Sequence, residues 1–165
     1  MTLATRRHRS YTWEDQTPTL TACLAQDGLS VLGAIGAGTL PRPPAMQTLA
    51  IEPGDAGPGR VSFRLEPEEF HLNPFGLVHG GVLAALMDSA MGCAVHSLLP
   101  AAVGYVTSEL NVRFVRPALA TGGTLVCTGE VVHAGRTTMV ATARVVDEQE
   151  RLIATAGSTC LLRRP

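Results

Sequence analysis

The sequence predicts an α+β fold in which an antiparallel sheet of five to six strands wraps around one long helix. One observation is a single apolar run of helical length, Val82 to Leu99, which lies between a Gly-Gly pair and Pro100. The other is that short segments on both sides of this run alternate apolar with polar residues and are separated by turn residues. A lone apolar helix among such strands must lie across one face of their sheet.

The predicted strands follow from this alternation and from the turn residues between them. Val61, Phe63 and Leu65 alternate with polar neighbours, as do Leu110, Val112 and Phe114. Pro117 either ends this last strand or marks it as an edge strand. The other predicted strands are Gln47–Glu52, Thr124–His133, Thr137–Val146 and Arg151–Leu162, with turns at Asp55–Gly59, Ala134–Arg136 and Asp147–Glu150. The predicted order is therefore two strands, the long helix and four strands.

Length and composition limit the classes of function. The 165 residues, 45% of them hydrophobic, suit one domain with a real core. The net charge is −1 and the arginines are scattered, which argues against a nucleic-acid or membrane-binding surface. Lysine is missing, so Schiff-base chemistry and a lysine-dependent phosphate loop are excluded.

The cysteines and the N-terminal charges bear on location. The four cysteines have no metal-ligand spacing, so we expect free, buried thiols and no metal site; they are Cys23, Cys93, Cys127 and Cys160. No apolar segment of the secretory type follows the basic Arg6, Arg7 and Arg9. We therefore expect a cytoplasmic protein.

One acidic residue interrupts the apolar helix. At helical spacing, the neighbours of Asp88 are small or apolar and none of them could pair with a carboxylate; they are Ala84, Ala85, Met91, Gly92 and Val95. A buried, unpaired carboxylate costs several kcal/mol, so a functional role is favoured, although a backbone group or a distant arginine could also satisfy it. Gly80 and Gly81 offer no capping side chain, which predicts free N–H groups at the helix start, while close packing is the alternative use of the pair.

These residues carry a resemblance to a known family. Asn73-Pro-Phe-Gly-Leu-Val-His79-Gly80-Gly81, with Asp88 nine residues after the histidine, resembles the hotdog-fold acyl-CoA thioesterases of the phenylacetate-degradation type. The similarity covers residues 46–163 and includes Thr107–Pro117, which resembles the next strand of the family, and His133–Thr137, which resembles its hairpin. The resemblance implies a hotdog thioesterase domain over residues 46–165. It also implies hydrolysis of an acyl-CoA to the free acid and coenzyme A, which is part of the substrate, with no separate cofactor.

The same resemblance implies roles for individual residues. The N–H of Gly80 would donate a hydrogen bond to the thioester carbonyl, and Gly81 would contribute to substrate binding. Asp88 from the partner copy would act as general base or as nucleophile. Asn73 and His79 would orient the thioester or the glycine loop, with a purely structural His79 as the alternative. Thr107 matches the residue that positions the attacking water, although a longer loop could give that role to Ser108. Coenzyme A would be bound by Arg116, Gly135, Arg136 and Thr137, unless Arg136 is only a surface residue.

Helix geometry adds an expectation about assembly. Gly80 and Asp88 are eight residues apart, or about 12 Å along a helix, so one carbonyl cannot contact both in a single chain. Two copies related by a two-fold axis would bring the helix start of one to Asp88 of the other. The resemblance likewise implies dimers with shared active sites, often paired into tetramers.

Residues 1–45 lie outside the resemblance and form a predicted N-terminal extension. Residues 1–28 show no clear periodicity, and Ser30–Ala37 is a predicted short helix stopped by Gly38. This extension is either a surface arm with a docked helix or, through Leu29–Ile35, a cover over part of an acyl pocket.

Two other functions fit the same fold. A hotdog hydratase or dehydratase would need an acid and a histidine placed together on a different spacing from that of His79 and Asp88. A non-catalytic acyl-CoA-binding module could dispense with the carboxylate of Asp88.

Overall fold

The computed structural model describes residues 5–164, which form four α-helices, one short 3₁₀ turn and six strands. The helices are α1 (Thr17–Ala25), α2 (Gly28–Gly36), α3 (Pro44–Thr48) and α4 (Gly80–His96), and the 3₁₀ turn is Glu69–His71. The strands are β1 (Ile51–Gly57), β2 (Arg60–Leu65), β3 (Gly104–Phe114), β4 (Leu125–Ala134), β5 (Thr138–Val146) and β6 (Leu152–Arg163).

The six strands form one antiparallel sheet in the order β1-β2-β4-β5-β6-β3. The last four strands of the chain lie where they were predicted, within a residue or two at most ends, except that β3 begins at Gly104, six residues before the alternation that starts at Leu110. β3 pairs only with β6 among the described strands, so it forms one edge of the sheet.

The long helix α4 lies across this sheet, as predicted, and provides much of the core. Its buried side chains pack against strands from β2 through β6, so that one hydrophobic cluster joins helix and sheet. The helix ends at His96, four residues before Pro100, whose ring cannot continue a helix. This arrangement confirms the predicted α+β sheet wrapped around a central helix.

The first predicted strand and turn need correction. Gln47 and Thr48 belong to α3, whose start is favoured by the consecutive prolines Pro43 and Pro44. β1 begins only at Ile51 and continues to Gly57, through most of the segment predicted as a turn. The reversal itself is confined to Pro58-Gly59, and an irregularity between Pro53 and Ala56 absorbs the turn-forming residues inside the strand.

The N-terminal region is more helical than its sequence predicts. α1 occupies part of residues 1–28, where no periodicity was apparent, and begins with a proline in its first turn. α2 begins two residues before the predicted Ser30, because Asp27 caps it by accepting a hydrogen bond from Ser30 N at 3.0 Å. α2 packs on β1 and α4, which places the extension against the main body.

No helix among residues 5–164 is long and apolar enough to cross a membrane.

Candidate active site

A short loop ahead of α4 is organised by Asn73. Its side-chain Oδ1 accepts hydrogen bonds from Phe75 N at 2.9 Å and Leu77 N at 3.2 Å. Gly76 has a φ of +74°, a left-handed conformation that favours glycine. The loop is closed by backbone pairing between Leu72 and Val78. The oxygen of Asn73 is therefore engaged in shaping the loop. Its amide N–H₂ is the group that remains available as a donor to a ligand.

His79 caps the helix that follows. Its Nδ1 accepts a hydrogen bond from Gly81 N at 2.9 Å, so the ring proton of the neutral imidazole lies on Nε2. The expectation that both glycines present free N–H groups is therefore wrong for Gly81, because the preceding residue supplies the cap. Within residues 5–164, no acceptor is bonded to the N–H of Gly80.

The free N–H of Gly80 borders an open groove of about 320 Å³. A Cβ atom on Gly80 would lie 2.9 Å from Cζ of Phe114, so only glycine fits without displacing that ring. The groove has mostly apolar walls with Asn73 and Arg116 as its polar side chains; the other lining residues are Leu77, Val78, Leu83, Phe114, Val115, Pro117 and Ala118. A donor beside an apolar groove suits a carbonyl that carries an apolar group.

Asp88 is half-buried and is held by a residue of β3. The hydroxyl of Thr107 donates a hydrogen bond to Asp88 Oδ1 at 2.9 Å. No partner within the described part of the chain contacts the second carboxylate oxygen of Asp88. Thr107 itself is exposed at the sheet edge, so the pair is open to solvent in a single chain. The carboxylate is thus oriented by one oxygen and free to accept a proton or to attack with the other.

Ser108 is directed elsewhere. A bulge interrupts the pairing of β3 with β6 between Thr107 and Glu109, and Ser108 is the extra residue. Its hydroxyl donates to Thr159 O at 2.9 Å. Of the two alternatives for the residue beside the carboxylate, the structure places Thr107 there and not Ser108.

Gly80 and Asp88 of one chain are not brought together. Gly80 contacts Phe114 at the end of β3, while Asp88 contacts Thr107 near its start. On the helix-facing side of this edge strand, Leu110 is 36% and Phe114 is 54% exposed. Apolar side chains on a long unpaired edge are a liability that proteins usually cover, which makes this edge a candidate interface.

The candidate coenzyme A residues lie in two places. Arg116 lines the groove beside Gly80, and its Nη1 donates to Leu152 O at 2.8 Å. Gly135, Arg136 and Thr137 form the β4–β5 turn, where Arg136 is exposed. Backbone pairing of Met139 with Cys160, and of Cys160 with Thr107, shows that this turn lies at the same end of the sheet as Thr107.

Other candidate groups are not placed for catalysis. Burial, together with the charge of Asp88, raises the pKa of Cys93 to about 12, so its thiol stays protonated. All four cysteines are free, and no cluster of three or more potential metal ligands occurs between residues 5 and 164. Leu32 and Ile35 line a small apolar cavity of about 50 Å³ under α2, but neither Gly80 nor Asp88 borders it.

Two residues of the site were not identified from the sequence. Phe114, expected only as a strand residue, closes over Gly80. His71 is buried and bonded to the loop that carries Asn73. The available signal for His71 was its position two residues before Asn73 and eight before His79.

Comparisons with known proteins agree with this geometry. A model of the Thioesterase superfamily matches residues 75–154. The 1,4-dihydroxy-2-naphthoyl-CoA hydrolase of Listeria monocytogenes is 29% identical over 119 residues, which are 72% of this chain and 94% of that protein. The acyl-coenzyme A thioesterase PaaI of Escherichia coli is 37% identical over 83 residues, which are 50% of this chain and only 56% of PaaI.

The solved structures extend the similarity over more of the chain. A thioesterase family protein from Silicibacter pomeroyi superimposes with a TM-score of 0.72 at 31% identity, over 81% of this chain and 99% of that one. The structure of E. coli PaaI gives a TM-score of 0.70 at 26% identity, over 81% of this chain and 94% of that one.

Proposed function

Because this chain belongs to the thioesterase superfamily, we propose that it hydrolyses acyl-CoA thioesters at a site shared by two copies of the chain. The membership confirms the expected family, and thioester hydrolysis is the reaction for which the family is named. Coenzyme A as the carrier is supported by the names of the Listeria hydrolase and of PaaI. The observation that carries the proposal is the carboxylate of Asp88, oriented by Thr107 and open on its other oxygen.

Gly80 supplies the electrophilic half of the proposed mechanism. Its free N–H points from the positive end of α4 and would donate a hydrogen bond to the thioester carbonyl oxygen. As the carbonyl carbon is attacked, negative charge develops on that oxygen and the bond strengthens. His79, by binding Gly81 N, and Asn73, by shaping the loop, would keep this donor in place.

Asp88 supplies the other half in one of two ways. As general base, it takes a proton from water while the hydroxyl attacks the carbonyl carbon; the intermediate then expels the coenzyme A thiolate, which receives that proton. As nucleophile, it forms an anhydride and releases the thiolate directly, and water then cleaves the anhydride. The hydrogen bond from Thr107 suits both routes, because it orients the carboxylate without neutralising it.

A second copy would complete the site through the free edge of β3. Gly80 lies beside Phe114 and Asp88 beside Thr107, so Phe114 of one copy placed opposite the partner subunit's Thr107 brings the two halves together. The bulged Ser108 and its neighbour Thr107 occupy a single position of the strand. Counted in this way, Asn111 lies midway between Thr107 and Phe114, so antiparallel pairing in this register places the two-fold axis at Asn111. Leu110 and Phe114 would then be covered by the partner.

Coenzyme A would extend from this site over the basic side chains nearby. Arg116 lies in the groove of Gly80, and Arg136 lies in the turn at the Thr107 end of the sheet. Guanidinium groups bind phosphate through paired N–H donors, and Gly135 and Thr137 would let the phosphates approach the turn closely. The four free cysteines fit a reducing compartment, so we place the reaction in the cytoplasm.

Thiol release from a panel of acyl-CoA thioesters tests the proposal. We expect Asp88→Asn, which keeps the shape of the side chain, to lower the rate of release at least about a hundredfold. Asp55→Asn, an exposed carboxylate on β1, is the matched control and should leave the rate unchanged.

Two outcomes would overturn the proposal. Hydration of an enoyl-CoA without thiol release would indicate a hydratase of the same fold. Binding of acyl-CoA without any turnover by the wild-type protein would indicate a binding module.

A further inference from the structure

His71 is a buried histidine with both ring nitrogens engaged. It is 1% exposed, and its Nδ1 accepts a hydrogen bond from Glu68 N at 2.9 Å. Its Nε2 donates to Leu49 O at 2.8 Å, which ties the 3₁₀ turn to the segment ahead of β1. Because Nδ1 accepts, this arrangement requires the neutral imidazole.

The backbone of His71 continues this network to the active-site loop. His71 O accepts a hydrogen bond from His79 N at 2.8 Å, across the base of the loop that Leu72 and Val78 close. His79 in turn binds Gly81 N through its ring. The buried imidazole therefore fixes the N-terminal end of the loop. The C-terminal end of the loop leads into the cap of α4 and the free N–H of Gly80.

We propose that His71 is a positioning residue, whose neutral ring holds the loop so that the N–H of Gly80 points at the thioester carbonyl. This role rests on the proposed function of Gly80. It does not require His71 to touch the substrate, since the ring is enclosed and acts through His79.

The charges around His71 make this role sensitive to acid. Glu68 on the same turn favours a proton on the ring, whereas Arg9 opposes it from the N-terminal segment, where its guanidinium lies 3.6 Å from the centre of the Phe70 ring. Arg7 and Glu69 form an ion pair at 3.0 Å beside the same turn. A proton on Nδ1 would remove the acceptor for Glu68 N and place a second positive charge near Arg9.

The direction of the expected pH effect follows from burial. Burial lowers the pKa of His71 below its usual 6.5, so the ring is neutral at and above that pH and is protonated only in more acidic solution. The positioning is therefore intact at neutral pH. As the pH is lowered and His71 becomes protonated, kcat should decrease.

Substitution of His71 tests the role against a matched control. We expect His71→Ala to lower kcat about tenfold with KM within about twofold, because a misplaced donor affects the transition state more than binding. His71→Gln retains an amide that can reach Leu49 O and should recover part of the loss. Ser97→Ala also removes a buried polar group with two backbone partners, because the hydroxyl of Ser97 bonds to Gly59 N and Ala94 O, but it lies at the other end of α4. Ser97→Ala should lower the melting temperature without changing kcat or the decrease of kcat at low pH.

Backbone amide NMR separates this proposal from the proposed function. In His71→Gln, we expect the amide signals of His79, Gly80 and Gly81 to shift while those around Ser97 do not. If these signals shift but the wild-type protein hydrolyses no thioester, His71 does position the loop and it is the proposed function that fails. If folded His71→Ala keeps the wild-type kcat, pH profile and amide signals of the loop, the positioning role is wrong.

Discussion

At the scale of single residues, the candidate site depends on short contacts that assign one task to each side chain. Thr107 holds one oxygen of Asp88, His79 takes the N–H of Gly81, and the neighbouring Gly80 keeps its N–H free. The two side-chain contacts use a hydroxyl and a ring nitrogen, so each can be removed by substituting a single side chain. Thr107 and Ser108 illustrate this assignment of tasks most clearly, because the hydroxyl of Thr107 binds Asp88 whereas that of Ser108 binds Thr159 O.

We expect Thr107→Val to lower kcat about tenfold, because it preserves the shape of the side chain but removes the hydroxyl that orients Asp88. Thr107→Ser should retain most of the activity, since the donor remains. Ser108→Ala is the control and should have the wild-type kcat, because that hydroxyl binds Thr159 O. A loss in Ser108→Ala with no loss in Thr107→Val would reverse the assignment.

At the scale of elements, α4 and β3 together set the distances in the site. The two elements run antiparallel, so the start of the helix lies at the end of the strand, and Asp88 lies near the strand's beginning. Because of this separation within one chain, the proposed mechanism requires a second β3 from another copy. The free edge and the exposed apolar residues Leu110 and Phe114 indicate where it would pair.

We expect Asn111→Cys to form a disulfide-linked dimer on mild oxidation, because the proposed register places residue 111 opposite its own copy. Non-reducing electrophoresis would detect it. Thr155→Cys on the neighbouring strand β6, opposite Arg113, should stay monomeric on the same gel. A protein that is dimeric in solution but does not cross-link through residue 111 would refute this register.

At the scale of the whole molecule, both assembly and acid stability have testable consequences. A shared site requires that defects on different halves complement each other. The histidines buried against the main body, by contrast, make the folded state sensitive to pH in a direction that burial determines.

Mixing Asp88→Asn with Gly80→Pro subunits should restore part of the activity, because each hybrid dimer retains one intact composite site. Proline removes the N–H of Gly80 at the first helical position, where its backbone is tolerated and where the preceding residue is already extended. Its side chain displaces the exposed ring of Phe114, which the folding control must show to be accommodated. Activity is measured after subunit exchange, with both variants shown to fold. If exchange is complete and no activity returns, the two halves of the site belong to one chain.

Stability should decrease as the pH falls below about 6.5. Burial lowers the pKa of both His71 and His96, and the Nδ1 of His96 is buried without a hydrogen-bond partner among the described residues. Below about pH 6.5 the unfolded chain therefore binds protons on these histidines that the folded chain does not. The contribution of the two histidines to stability is complete above the pKa that they have in the unfolded state. Each histidine contributes a slope of at most about 1.4 kcal/mol per pH unit.

Urea unfolding at pH 7.5 and at several lower values measures this slope. His71→Gln should show a smaller decrease than the wild-type protein between about pH 6.5 and 5. An equal decrease in both proteins would show that His71 makes no contribution to the acid sensitivity.

The sequence by itself determined the long helix, most strands, and the spacing that joins Asn73, His79, Gly80 and Asp88. Such features are local, because hydrophobic periodicity and turn chemistry act between near neighbours in the chain. The sequence pattern predicted β1 too early in the chain and did not predict α1, because prolines and packing outweigh the local pattern in both segments.

Only the tertiary structure decided which hydroxyl meets Asp88, which glycine keeps its N–H, and that His71 is bonded to the loop. The bulge at Ser108 depends on pairing with β6, about 50 residues further along the chain. The bonds from His71 to Leu49 and His79 join segments that approach one another only after folding. Contacts of this kind are set by how distant elements pack, and no pattern of neighbouring residues records them.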